Sequence, residues 1–522
     1  MRSHRVGLAV IATALATSAP SQRPEARSTL ITGTLLVDGT GAPARTASVR
    51  IEGDRIAAVG QLEPRPSETV VAASGLVLAP GFIDTHSHGD DDVFGEADAL
   101  AAVSQGITTI VGGQDGGSAH PLAEYFSRLS KSPAAVHVAS YVGHGTVRRK
   151  VMGEDFRRPA TADETGRMRE LIRRDMEAGA LGLSTGLEYD PGIYSQREEV
   201  VALAKEAAAA GGRYISHMRS EDRYFWDAVD EILVIGREAK IPVQISHVKL
   251  AMTNLWGRAD DLVRRLDEAR ASGVDVTADI YPYLYWQSTL TVLFPKRDFE
   301  NREEAARVLR EISTPEGLLM GKFAPEPSYV GKTLAEIAVL RKQDPVTTLI
   351  EMIREAEALR RTGAEDVESV IGTSMTEPDL ERLLIWPHTN LCTDGQFRGR
   401  HPRGFGAFPR VLGRYVRERL LMSLEEAVRK MTSLAATHMG FRDRGRVEVG
   451  MVADLVLFDR PSVVDRSTTV DPQAISRGIE KVWVGGELVY AGGKATGKRP
   501  GQVIRRNNGG ASRSFGAALD RP

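Results

Sequence analysis

Apolar residues recur along this chain with two rhythms, and the change from one to the other divides it. Near the amino end, short alternating runs are punctuated by turn signals. Residues 29–37 run into Asp38-Gly39, residues 47–51 into Glu52-Gly53-Asp54, and residues 55–59 into Gly60. Alternation at period two predicts half-buried strands. The pattern returns near the other end, in 454–458, in 482–484 before Gly485-Gly486, and in 488–490. Two β-rich segments around a long middle predict one small composite β-sandwich domain, drawn from residues 28–75 and 440–504.

In the middle, continuous apolar runs alternate with segments of helical period. The runs end near His86 and His88, Asp115, His144, Glu188, His217, His247, Asp279 and Asp394. Three helical segments open with capping-box patterns: Thr161-Ala-Asp-Glu164, Ser195-Gln-Arg-Glu198 and Ser423-Leu-Glu-Glu426. Eight strands with intervening helices predict an α/β fold, a TIM-like (β/α)8 barrel over residues 76–439, better than an open sheet. The rhythm breaks between Tyr283 and Trp386, where Pro295, Pro315 and Pro325-Glu326-Pro327 precede a charged helical run. That stretch is too long for an ordinary loop. It predicts a subdomain, residues 290–386, inserted between the seventh and eighth strands and covering the barrel mouth.

Composition narrows the chemistry. The 522 residues are 42% hydrophobic and 26% charged with a net charge of −2, which gives no reason to expect nucleic acid as a partner. The single cysteine, Cys392, excludes an intrachain disulfide and a cysteine-rich zinc site. A metal would be held by His, Asp and Glu. Arg2, His4 and Arg5 precede a short apolar run at 6–16 and small residues at 14–19, which predicts an export signal over 1–27 and a periplasmic or secreted protein. The run is too short to span a membrane. Asn507-Asn508-Gly509-Gly510 and Ser512-Arg513-Ser514 predict a disordered tail over 505–522. Homo-oligomerisation is left open.

Candidate chemistry begins with Gly81-Phe82-Ile83-Asp84-Thr85-His86-Ser87-His88. Histidines two apart on an extended strand share a face and can chelate one divalent cation. An isolated His-x-His is equally compatible with a plain strand end. Two further blocks change that balance: Ile215-Ser216-His217 and Ile245-Ser246-His247 have the same form and lie one βαβ repeat apart. Asp394, in Cys392-Thr393-Asp394-Gly395, closes the eighth strand, where a carboxylate can move protons between water and a leaving amine. An Asp-Gly turn is the plainer reading of Asp394, so its role rests on its place in the barrel.

The chain resembles the amidohydrolase superfamily, and within it the D-aminoacylase (N-acyl-D-amino-acid deacylase) family. The resemblance rests on residues 81–88, Val142-Gly-His-Gly-Thr-Val-Arg148, Gly182-Leu-Ser-Thr-Gly-Leu-Glu-Tyr189, Ser216-His-Met-Arg219, Ala278-Asp-Ile-Tyr-Pro-Tyr283 and His401-Pro-Arg-Gly-Phe-Gly-Ala-Phe-Pro-Arg410. It implies a metal-dependent hydrolase barrel with one or two divalent ions, zinc expected. By it, His86, His88, His217, His247 and Asp394 are metal-centre residues, Asp394 is the acid/base and His144 assists at the acyl carbonyl. Tyr189, Lys249, Arg403 and one of Tyr281 and Tyr283 would bind a free carboxylate on a small-molecule substrate; barrel packing is the alternative for the two tyrosines.

One departure from the family is clear. The family places a cysteine ligand after the second strand, where this chain has Asp115 within Gly112-Gly113-Gln114-Asp115-Gly116-Gly117. A carboxylate is a harder donor than a thiolate, so metal number and identity stay open. Glu188 is a second carboxylate expected to bridge ions. The activity implied is hydrolysis of linear amides, N-acyl-D-amino acids first. An exported dipeptidase, a cyclic-amide hydrolase of dihydroorotase type and a metal-free binding protein are the alternatives.

Overall fold

The computed structural model describes residues 28–506. The export-signal reading over 1–27, and the tail reading from 507 onward, lie outside the described residues. Arg505 and Arg506, assigned to that tail, are instead tied to the body: Arg505 Nη1 donates to Ala178 O at 2.8 Å and Arg506 Nη2 to Met176 O at 2.9 Å.

Eight parallel strands form the barrel. They are Phe82–Asp84, Ile107–Gly112, His137–Ser140 continued by Val142–Gly143, Gly182–Gly186, Arg213–His217, Val243–Ile245, Val276–Ile280 and Thr389–Leu391. Sequential neighbours pair in parallel. The ring closes between last and first, where Asp394 N donates to His86 O at 2.8 Å and His88 N to Gly395 O at 2.9 Å. Every residue of Ile107–Gly112 and Gly182–Gly186 is buried. Strands covered on both faces need not alternate, so buried residues follow one another along these runs. The carboxyl ends of all eight open on one mouth.

Helices pack outside the strands. Ala162–Ala178 begins with the Thr161–Glu164 capping box fully formed, ends at Gly179 with φ +108°, and buries Met168, Ile172 and Met176 along one face. Ser423 accepts from Glu426 N at 3.1 Å. The Ser195 box does not form. The helix starts at Arg197 with Gln196 as cap, and Ser195 Oγ donates instead to Gly192 O at 2.6 Å, closing the preceding turn.

The terminal strands join in one nine-stranded sheet. The sheet also takes in Val77–Pro80, beyond the expected boundary at residue 75. That strand pairs in parallel with Ser28–Leu36 and antiparallel with Leu455–Phe458, so chain segments from both ends meet on it. Leu36, Leu78, Leu455, Leu457 and Trp483 form the core on one face. Asp454 fastens sheet to barrel: its carboxylate lies 3.0 Å from His137 Nε2 of the third barrel strand and 2.8 Å from Arg444 Nη1.

The insertion is present and starts at Tyr285, slightly before the expected residue 290. Tyr285–Ser288, Leu319–Phe323 and Glu368–Thr373 form a three-stranded antiparallel sheet carrying helices Arg302–Glu311, Leu334–Arg341 and Pro345–Arg360. Among the described residues, no helix is long and apolar enough to cross a membrane.

Candidate active site

Strand ends deliver the site. Asp84, the last residue of the first strand, accepts from Thr393 N at 2.8 Å and Thr393 Oγ1 at 2.6 Å. This clasp lies beside the seam of the barrel and sets Asp394 against His86 and His88. Burial pushes the Asp84 carboxyl up to about 7 despite those hydrogen bonds. At the seventh strand, Asp279 Oδ1 accepts from His247 N at 2.5 Å, and Oδ2 accepts from Gln244 Nε2 at 2.6 Å. Asp279 thereby holds the backbone of His247, which has φ +35°. Asp115 and Asp394 also have positive φ, +51° and +49°. Three site residues in the left-handed region show a backbone constrained where the chemistry lies.

His86, Asp115, His247 and Asp394 present donor atoms close enough to share one ion, and His217, Glu221 and His247 form a second such group. Asp115 Oδ1 is 3.4 Å from His86 Nε2 and 3.6 Å from His247 Nε2, and its Oδ2 is 3.4 Å from His88 Nε2. Asp394 Oδ1 is 3.1 Å from His88 Nε2 and 3.5 Å from His86 Nε2. His217 Nδ1 faces His247 Nε2 at 3.1 Å. Both ring nitrogens of the buried His86, and Asp115 Oδ1, have no hydrogen-bond partner. Buried polar atoms are almost always paired. Imidazole and carboxylate donors turned on one point without partners of their own fit a divalent cation.

Carboxylates and imidazoles in the cluster offset one another's burial. Burial works against ionisation of Asp115, but the imidazoles of His86 and His247 hold its carboxyl well below the usual range. For Asp394, burial is likewise outweighed by Arg403, His247 and His88. His88 is raised to about 10, its removal from water overcome by Asp115 and Asp394. Burial lowers His217 to about 4.

Two residues expected in the site are elsewhere. His144 begins helix His144–Met152, and its Nε2 lies 2.9 Å from Glu199 Oε1 on helix Arg197–Ala209. The third strand passes straight into that helix, so the side chain turns outward between helices and does not line the cavity. Tyr283 is turned away too. Its N donates to Tyr281 O at 3.0 Å around Pro282, a three-residue turn, and its hydroxyl points to Asp465. Tyr281 lines the cavity, with its hydroxyl buried and unpartnered. Glu188 does line the cavity, but it belongs to neither ligand group. It hydrogen-bonds His217 Nε2 at 2.8 Å, and burial together with Asp222 and Glu221 raises its carboxyl well above the usual range.

The cavity over the cluster is about 1080 Å³ and is bounded by the barrel mouth, the insertion (Trp286, Ser288, Glu368) and the loop from Gly395 to Arg403. Lys249 is buried in its wall, with Nζ 2.6 and 2.7 Å from the two carboxylate oxygens of Glu221. Arg403 Nη1 lies 2.5 Å from Asp394 Oδ2 as an ion pair, and neither Nη1 nor Nε makes a hydrogen bond. The Arg403 guanidinium also sits 4.7 Å over the Tyr281 ring. Tyr189 lines the same cavity, 3.4 Å from His217 Nδ1. The sequence reading missed Glu221 and His401. His401 Nδ1 accepts from Arg403 N at 3.0 Å and its Nε2 donates to Tyr285 O at 2.9 Å, which ties the arginine to the insertion.

Imidazoles and carboxylates gathered at the mouth of an eight-stranded barrel define a class, the metal-binding barrel hydrolases. The chain matches the amidohydrolase family over residues 69–490. It is 38% identical over 503 residues to an N-acyl-D-glutamate deacylase of Alcaligenes xylosoxydans xylosoxydans, spanning 92% of this chain and 96% of that protein. It is 36% identical over 502 residues to a D-aminoacylase of the same organism, spanning 91% and 97%. The crystal structure of an N-acyl-D-glutamate deacylase from Bordetella bronchiseptica, complexed with zinc and a phosphonate mimic of the tetrahedral intermediate, superposes with a TM-score of 0.82 at 36% identity, covering 92% of this chain and all of that one (100%). The chain belongs to the amidohydrolase family, in its D-aminoacylase and N-acyl-D-amino-acid deacylase branch.

Proposed function

We propose that this protein hydrolyses the amide bond of N-acyl-D-amino acids, releasing a carboxylic acid and a D-amino acid, with zinc as its ion. The observation that carries the reading is two kinds of unpartnered buried groups at one site, in the cluster beneath the cavity and in the cavity wall. His86 and Asp115 Oδ1 suit a cation, while Tyr281 Oη and Arg403 Nε suit a carboxylate.

His86, His88, Asp115, His217, His247 and Asp394 would hold the metal, which when bound supplies Lewis acidity towards water and the acyl carbonyl. The residues do the rest. Asp394 is ionised and accepts a proton from the attacking water, and the same carboxyl returns it to the departing nitrogen. Arg403 Nη1 keeps Asp394 aligned between the imidazoles and the cavity. Tyr281, with Arg403 Nε and the Lys249 ammonium, orients the substrate through its free carboxylate. Water and amide become acid and amine, and Asp394 ends as it began.

The test is hydrolysis of N-acetyl-D- and L-amino acids before and after chelation. We expect turnover of the D enantiomers only, abolished in metal-free protein and restored by zinc. Undiminished turnover without metal would overturn the reading. Export to the periplasm is part of the proposal, supported by the basic and apolar pattern of residues 2–19. Fractionation of cells expressing the full chain checks it; recovery only with the cytoplasmic fraction counts against export.

A further inference from the structure

Glu221 takes no part in the steps above, yet it is buried against both sides of the site. It lies in the loop after the fifth strand, and its backbone oxygen accepts from Ala251 N at 3.0 Å, which ties that loop to the one after the sixth strand. Its two carboxylate oxygens lie 2.6 and 2.7 Å from Lys249 Nζ, and Oε1 is also 3.0 Å from His247 Nδ1. The other ring nitrogen of His247 faces His217 Nδ1 at 3.1 Å and Asp115 Oδ1 at 3.6 Å.

An imidazole binds a cation through the lone pair of one nitrogen and carries its proton on the other. The partner of that second nitrogen decides which is which. A carboxylate only accepts, so Glu221 Oε1 favours N–H at Nδ1 and leaves the Nε2 lone pair towards Asp115. Lys249 acts in the opposite sense. Its ammonium is 2.7 Å from Nδ1 and, as a donor, favours a lone pair there. The two Glu221 oxygens, 2.6 and 2.7 Å from Nζ, draw the ammonium's donation away from Nδ1 and leave an N–H for another acceptor.

We infer that Glu221 is a positioning residue for both halves of the site, setting the metal-facing nitrogen of His247 and anchoring Lys249 so that one N–H is free for the substrate carboxylate. The inference rests on the metal-dependent deacylase reading, so the parent protein is measured first. Zinc affinity is read by competition with a chromophoric chelator, without any turnover. A parent that binds no zinc sinks both readings.

With a zinc-binding parent, Glu221→Gln is expected to weaken zinc about tenfold. At saturating zinc its KM should rise several-fold for an N-acetyl-D-amino acid and stay unchanged for the corresponding carboxamide. Glu221→Asp keeps the charge and should fall between parent and Gln, which also covers the case of a Gln variant that fails to fold. The decisive comparison is made in a Lys249→Met background. If Glu221 acts through His247, Glu221→Gln still weakens zinc there. If the loss disappears, or Glu221→Gln alone binds zinc as the parent does, Glu221 merely neutralises a buried lysine and the inference fails while the deacylase reading stands.

Discussion

Asp115 stands where the family resemblance implies a cysteine, and the structure sets its carboxylate among three imidazoles. Its backbone conformation, φ +51°, is one that Asn also adopts readily, so Asp115→Asn isolates charge from geometry. We expect that variant to lose metal by at least tenfold in affinity, because a neutral amide oxygen is the poorer ligand. Asp115→Cys should retain metal and shift preference towards zinc. Elemental analysis with a chelator titration reads both; unchanged metal in Asp115→Asn would leave a histidine-dominated site. His144 carries the opposite expectation. His144→Ala should leave kcat/KM near the parent value while lowering stability by about 1–3 kcal/mol, since Glu199 loses a buried partner. A large fall in kcat at unchanged Tm would return His144 to the chemistry. The histidines and Asp394 were legible because each ends an apolar run. Glu221 was not, because Ser220-Glu221-Asp222 has no period and looks like any polar loop. Only the packing of one loop on the next brings it to Lys249.

At the scale of elements, local chemistry and tertiary demand can be separated. The Thr161 box forms because nothing else claims its hydroxyl, whereas Ser195 is taken by the turn before it. Thr161→Ala should therefore cost about 1 kcal/mol and Ser195→Ala should not register as a lost helix cap. Urea unfolding of both variants checks this, and equal effects of capping size in the two would contradict the assignment. The barrel strands and the insertion could be read from period and from its interruption. The fate of Val77–Pro80 could not, because an all-apolar run of four suits a barrel strand and a buried sheet strand alike. The turn at Pro282 is similar: it separates two tyrosines that look equivalent in the sequence.

At the scale of the molecule, Asp454 couples the terminal sheet to the barrel. Burial raises its carboxyl, but His137 and Arg444 outweigh that and bring it down to about 2 from an ordinary value of 3.8. A depressed carboxyl stabilises the fold above its unfolded value and loses that contribution as pH falls towards the folded one. Asp454→Asn should thus lower stability at pH 7 by about 3 kcal/mol. The gap in Tm between parent and variant should narrow as pH drops from about 4 to about 2. A gap independent of pH would show that the hydrogen-bond geometry matters and the charge does not.

The pairing of Val77–Pro80 with Leu455–Phe458 also bears on the order in which the chain can be completed. A chain synthesised only as far as Leu455 can form the early strands' other pairs, but one edge of Val77–Pro80 then waits for a strand made close to the end of synthesis. An apolar strand edge left open for that long is a template for misassembly with neighbouring chains. Nascent chains halted before Leu455 should therefore be held by chaperones or aggregate, and release of the finished chain is the step that removes the hazard.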